Sequence, residues 1–332
     1  MNSRTLAPAS PRPDDRSPMA AGRRRGLTLA LAAAVVSGFA VFINSYGVRA
    51  VPDATVYTTA KNLVAALLLV VGMVAVHRWT PARIPASRPA PGPGLAQRLR
   101  AAQLVGLAAV AVVGGSVPFV LFFEGLARAS SSQAAFVHKT LVIWVAVLAV
   151  PLLGERLRGL QVAAIAVLVI GQAVLAGGLA GFRFGGGEWL VLAATLLWSV
   201  EVVLAKWLLR DVPPRLVAVI RMAAGAALLV VWVAASGRWS ALAGLDANGW
   251  LWASVTGGIL AGYVALWFTA LALAPAVDVT AVLVVAAVVT GLLNVVVKGA
   301  AITGWTATGM PIVLAGAVLA ATPRRRSAQV VT

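Results

Sequence analysis

The chain has 332 residues, 61% of them hydrophobic and 11% charged, with a mean hydropathy of +0.93. Apolar runs near 20 residues recur along most of its length, which is what a bilayer core of about 30 Å demands of a helix rising about 1.5 Å per residue, and no soluble domain of useful size is left between them. It has no cysteine, which excludes disulfides, zinc-thiolate sites and thiol catalysis; its net charge of +17 sits in tails and short loops, where it reads as a topology signal rather than a nucleic-acid surface.

In chain order, residues 1–26 are rich in Pro, Ser and Arg and are expected to form a disordered basic cytoplasmic tail. Arg23-Arg24-Arg25 followed by Leu27 to Val48 imitates a signal peptide. The apolar stretch is too long for one and lacks a convincing A-x-A site, so it is read as an uncleaved first span. Ten spans are predicted, at about 27–48, 54–76, 101–126, 131–152, 159–181, 187–208, 214–235, 249–273, 278–297 and 302–321. A short basic tail, 323–332, closes the chain. With the amino terminus in the cytoplasm, 19 basic residues fall inside and only Arg49, Arg128, Arg183, Arg238 and Lys298 outside. That asymmetry favours a multi-pass protein of a bacterial inner membrane with both termini cytoplasmic. Lys61, Lys139 and Arg221 fall within spans.

The chain repeats itself. "RAVPDATVYTTAKNLVAALLLVV" (49–71) resembles "RDVPPRLVAVIRMAAGAALLVV" (210–231), "LFFEGLARA" (121–129) resembles "LWFTALALA" (266–274), and "PLLGERLRG" is set against "GLLNVVVKG". Residues 27–181 and 187–322 therefore read as two copies of a five-helix unit. Five is odd, so the second copy enters the membrane from the opposite side. Such inverted repeats mark transporters that hold substrate near the midplane. The expected fold is an all-α polytopic membrane protein with ten transmembrane helices in two inverted five-helix repeats.

The stretch from Phe122 to Gly178, with its helix-G-E-R-L-helix-G pattern at Gly154, Glu155, Arg156, Leu157 and Gly171, is similar to the end of an EamA-type unit of the drug/metabolite transporter superfamily. The resemblance covers about 27 to 322. It implies alternating access, a central cavity lined mainly by helices 1–4 and 6–9, and export of amino acids or other small metabolites. In the second copy Asn294-Val295 replaces Gly-Glu, which puts the form of that turn in question.

Ionisable groups inside spans are functional candidates by default. Glu201 and Arg221 lie at matching depth, roughly 10 Å below the cytoplasmic surface, on neighbouring antiparallel spans. One reading is a salt bridge that neutralises two buried charges; the other is a gating or coupling pair. Lys61 and Lys139 lie roughly 12 Å in from the outer surface. Arg outnumbers Lys 23 to 4, yet two of the four lysines fall inside spans. Since Lys can give up its proton and Arg in practice cannot, a cavity-facing role is favoured over snorkelling to the interface. Glu124 is either a wetted interfacial carboxylate or the counter-charge of one of these lysines. His138 points about 100° away from Lys139 and is a core histidine, a gating group or a ligand. Asn44, Trp144 and Tyr263 join the candidate pocket, with Tyr46, Trp198, Trp267 and Asn294. Glu155 is read as structural. Gly106, Gly114, Gly171, Gly309 and Gly316 suit close helix packing, and Gly171 is also a candidate homodimer contact.

No enzyme motif, P-loop or metal cluster is found, so no cofactor is expected. The expected partners are a small-molecule substrate and the lipid bilayer, with no nucleic acid. The expected function is secondary export of a small carboxylate-bearing metabolite such as an amino acid. A non-transporting receptor or assembly subunit is the alternative, and a membrane enzyme using His138 with Glu124 is a third reading. The repeat counterpart of His138-Lys139 is Leu283-Val284, so that polar interruption belongs to one half only.

Overall fold

A computed structural model describes residues 17–79, 93–129, 131–178 and 184–322. The expected disordered tail 1–16, the loop arginines Arg83 and Arg88, and the closing tail 323–332 lie outside the described residues. All regular structure among the described residues is helical, as a chain in lipid requires when every backbone N–H and C=O must be satisfied internally.

The first copy comprises α1 (Ser17–Ala50), α2 (Ala54–Trp79), α3 (Pro93–Val113), α4 (Val117–Leu126), α5 (Ser131–Lys139), α6 (Leu141–Leu153) and α7 (Gly159–Leu175). The second comprises α8 (Gly186–Leu208), α9 (Pro214–Ala235), α10 (Trp239–Ala243), α11 (Ala247–Leu273), α12 (Ala276–Leu283), α13 (Ala286–Lys298) and α14 (Gly304–Ala321). Together they make nine segments long and apolar enough to span a membrane, plus the shorter apolar α7. Helix α1 runs from Ser17, so Arg23 to Arg25 are helical and not part of the disordered tail expected over 1–26. The fifth helix stops at Leu175 rather than 181, because Gly177 and Gly178 turn to positive φ (91° and 84°).

Three predicted spans are broken. The third breaks at Gly114-Gly115-Ser116 between α3 and α4. There Pro118 stands in the first turn of α4 and removes a donor, and the Ser116 hydroxyl donates to the carbonyls of Ala111 and Val112 (3.2 Å each). The fourth and ninth break at matching tight turns. Thr140 N–H donates to the Val137 carbonyl (3.1 Å), and Val285 N–H to the Val282 carbonyl (3.1 Å). These are three-residue steps of the 3₁₀ kind inside otherwise α-helical spans.

The helix boundaries of the two copies are in register. From the fourth helix of each unit onward, equivalents stand 145 positions apart: Ser131 and Ala276, Leu153 and Lys298, Gly154 and Gly299, Gly159 and Gly304. This corrects the pairing of "PLLGERLRG" with "GLLNVVVKG". Gly154 (φ 70°) corresponds to Gly299 (φ 64°), and both end their helices in the left-handed conformation with an N–H donated five residues back, to Ala149 and Asn294. The second turn is therefore conserved in form, and the residue opposite Glu155 is Ala300.

Helices α7 and α14 pack along one another through the same contact made twice. A Cβ on Gly171 would stand 2.9 Å from the backbone nitrogen of Val313, and one on Gly316 would stand 3.0 Å from that of Leu168. Gly171 is thus covered within its own chain and is not a free dimerisation surface. Gly171→Ala and Gly316→Ala should each destabilise the fold by about 1–3 kcal/mol through backbone displacement. The control Gly262→Ala, with nothing within 4 Å of its Cβ, should be neutral. Thermal unfolding of the detergent-purified protein checks this, and equal melting of all three would contradict the packing.

Candidate functional site

The centre of the bundle is organised by two basic residues at the same repeat position. Lys61 is the eighth residue of α2 and Arg221 the eighth of α9. Each lies over a phenylalanine that is itself repeat-equivalent: Lys61 Nζ stands 4.3 Å from the Phe123 ring centroid and Arg221 Cζ 5.9 Å from that of Phe268. Phe119 lies between the two cations, 5.9 Å from Lys61 Nζ and 5.7 Å from Arg221 Cζ. Ring faces carry negative potential and stabilise cations that burial has stripped of water.

The two differ in how they are neutralised. Arg221 is buried and forms a bidentate ion pair with buried Glu201, through Nε to Oε1 and through Nη2 to Oε2 (3.1 Å). Arg221 Nη2 also donates to the Gly114 carbonyl (2.9 Å), as does Trp198 Nε1 (3.1 Å). The helix break at Gly114-Gly115-Ser116 serves this arrangement. A Cβ at Gly114 would overlap the Glu201 carboxyl, and one at Gly115 would overlap the Arg221 carbonyl. Only glycine lets the broken helix approach closely enough to lend its carbonyl to the guanidinium.

Lys61 has no such acid beside it among the described residues. Only 5% exposed, it does not snorkel; its ammonium donates to Asn44 Oδ1 (3.2 Å). Asn44 is oriented by its own Nδ2 bond to the Ala40 carbonyl (2.7 Å), and Tyr57 also donates to its Oδ1 (2.9 Å). Tyr57 lies 3.0 Å from the Thr256 hydroxyl, which joins α2 to the second copy. Lys61 is held by a neutral amide and three rings, with its charge uncompensated.

Lys139 ends α5 at the break in the fourth helix. With His138, Thr280, Leu283 and Val284 it lines a cavity of about 20 Å³, enough for about one water. The repeat counterparts of His138 and Lys139 thus form the opposite wall of the same cavity, and the matched breaks of the fourth and ninth helices meet there. His138 itself turns toward Phe122 and Trp198, with ring centroids 5.1 and 5.0 Å away. Its Nδ1 is buried and unbonded among the described residues. Trp144 donates to the Thr140 hydroxyl (3.1 Å), which donates to Val137 (2.6 Å), so the indole braces the break. Tyr263 stacks on Trp267 at 6.1 Å. A wider open groove of about 420 Å³ lies between α7 and α14 beside Trp305, lined by no charged side chain.

Glu124 is not beside either lysine. It accepts from Arg128 (3.0 Å), Arg238 (3.3 Å) and the Thr55 hydroxyl (3.3 Å), at the face opposite the termini. Arg238 also approaches Asp53 (3.5 Å). Asn294 bonds back to Thr290 of its own helix (3.0 Å).

At the terminal face the copies are tied by buried polar contacts. Asp278, 1% exposed, accepts from Arg23 (2.8 Å) and from Gln161 (2.7 Å). Glu155 accepts the free N–H groups of Ala276 (2.6 Å) and Val277 (3.2 Å) at the start of α12, and Lys206 donates to the carbonyls of Leu271 (2.6 Å) and Ala274 (2.7 Å) at the end of α11. Acid at a helix N-terminus and base at a C-terminus are the arrangements that the helix dipole favours. Asp278, Gln161 and the cation–ring partners were missed in the sequence. Gly-Gly-Ser ahead of Val-Pro was a readable break signal, and the aromatic match of "LFF" to "LWF" already held Phe123 and Phe268.

The family model of the EamA-like transporter family matches residues 24–177 and 185–322. A crystal structure of a protein 22% identical superposes with a TM-score of 0.66, covering 90% of this chain and 98% of that one, a likeness of fold. A search of curated proteins finds no significant match.

Arg221→Met or Glu201→Gln alone strands a buried charge or an unpaired fork and should cost on the order of 3–5 kcal/mol. The double variant should be markedly less destabilised than the two losses combined. Melting temperatures of the four proteins test this, and additive losses would mean that the groups do not act as a pair.

Proposed function

We propose what this chain, which belongs to the EamA-like transporter family, carries and how: it is a secondary transporter that exports a small carboxylate-bearing metabolite by alternating access. The observation that carries the reading is the pair Lys61 and Lys139, two cations inside spans with no carboxylate paired to either among the described residues. A substrate carboxylate entering between the repeats would supply the missing counter-charge through charge-assisted hydrogen bonds. The excess of basic residues on the terminal side supports a cytoplasmic location for both termini, in a bacterial inner membrane.

Packing supports the alternating part. On the terminal side α6 packs against α12, and every residue of α12 is buried. On the opposite side α5 and α13 have no comparable packing, and only Ala286 and Val288 of α13 are buried. Because the copies are inverted, exchanging these two arrangements closes one face and opens the other. The turns at Thr140 and Val285 are the joints about which each half-helix would swing. A receptor reading has no use for unneutralised charge beside paired hinges.

Untargeted metabolite profiles of cytoplasm and medium should differ between cells overproducing the wild type and cells lacking it. At least one carboxylate-bearing compound is expected to move to the medium. Lys61→Ala and Lys139→Ala should each reduce that release by about tenfold or more, the value of one charged hydrogen bond. Release unchanged in both variants, at equal protein levels in the membrane, would eliminate this site.

A further inference from the structure

We infer that the transported species is an organic anion without an ammonium group, a hydroxy-, keto- or simple carboxylate, rather than a zwitterionic amino acid. The inference rests on the transport reading above and narrows it.

Eight of the ten carboxylates lie among the described residues, and each is engaged. Glu201 is held by Arg221, Glu124 by Arg128 and Arg238, and Asp278 by Arg23 and Gln161. Glu155, Glu188 and Asp246 accept backbone N–H groups at helix starts. Asp53 accepts the N–H groups of Thr55 and Val56 and faces Arg238, and Asp211 has a partner of its own. Asp14 and Asp15 lie outside the described residues.

The bases divide by type. The ion pairs above are all made by arginine, whose planar fork suits a carboxylate. Lys61, Lys206 and Lys298 donate to neutral groups, with the Glu155 charge also near Lys206. Lys61 meets the Asn44 amide, Lys206 two carbonyls, and Lys298, at the rim, the Ser45 hydroxyl (2.9 Å) and the rings of Phe42 and Tyr46. Lys139 lines the small cavity at the hinge. Lys298 at the rim, Lys61 beside Asn44 and Lys139 at the hinge offer positive charge, and each acid among the described residues is already engaged. An amino acid would bring an ammonium group into a low-dielectric site beside like charge. Such an arrangement costs energy unless an acid, a carbonyl or a ring face answers it, and the ring faces of Phe119, Phe123, Phe42 and Tyr46 are already taken by Arg221, Lys61 and Lys298. Replacing the amine by a hydroxyl or a keto oxygen removes the conflict and keeps the acceptor for the lysines.

The test uses the full chain in proteoliposomes loaded with a deproteinised bacterial metabolite extract. The extract is supplemented with pairs that differ only at the second carbon: lactate with alanine, phenyllactate with phenylalanine, malate with aspartate, and 2-hydroxyglutarate with glutamate. Efflux is read by mass spectrometry against protein-free vesicles. Protein-dependent efflux should be confined to amine-free acids, with the hydroxy member of any transported pair leaving at least about tenfold faster than its amino partner. Amino acids leaving as fast or faster would overturn the anion assignment while upholding transport. Efflux no greater than from protein-free vesicles for every compound would overturn the transport reading itself.

Discussion

A charge buried in a bilayer must be neutralised, and this fold is built around how it meets that demand. Arg221 would be the most expensive group in the bundle if left alone, since arginine at a span centre costs about 2.5–3.5 kcal/mol even on the mildest scales. Its solution recruits three other helices. Glu201 supplies the acid, the break after α3 supplies the Gly114 carbonyl, and Phe119 and Phe268 supply ring faces. The glycines at 114 and 115, the broken third span and the close approach of α3 and α4 to α8 and α9 follow from that one guanidinium.

Inverted repetition makes the other half instructive. The same helical position carries Lys61, and the same ring position carries Phe123, so the cation–ring device is present twice. The acid is present once. Where one copy has a finished ion pair, the other has an ammonium resting on an amide. The fourth and ninth helices show the same division, with His138-Lys139 facing Leu283-Val284 across a cavity between matched turns. Symmetry in the backbone supplies the two-state hinge; asymmetry in the side chains supplies a one-sided charge. A frame that can exchange two packings and a site that needs an anion fit a carrier, and the fit depends on both features.

Much of this was legible in the amino-acid sequence because lipid leaves few choices. Span number follows from hydropathy, inversion from an odd repeat, and the Glu201–Arg221 pairing from matched depth and opposite sign. What was not legible turned on local geometry. The repeat register slipped by five residues at "GLLNVVVKG", because Val and Leu carry little positional information, whereas Gly154 and Gly299 mark the true equivalence by their left-handed φ. For Glu124 the sequence leaves two readings open, an interfacial carboxylate or a counter-charge to a lysine one helix away, and helix order alone does not choose between them. In the fold it faces the rim, where Arg238, distant in the chain, reaches it. Asp278 was passed over because its partners, Arg23 and Gln161, lie more than 100 residues away.

The central claim is that the uncompensated charge of Lys61 does the work of binding. Asn44→Asp tests it most directly. The change is nearly isosteric and places a carboxylate 3.2 Å from the ammonium, copying in the first repeat the neutralisation that Glu201 provides in the second. The buried lysine gains its acid while the Asn44 Nδ2 bond to the Ala40 carbonyl is lost, so the protein should remain folded, and net release of the transported metabolite should fall by about tenfold or more. A well-folded Asn44→Asp protein that still exports at the wild-type rate would contradict the account.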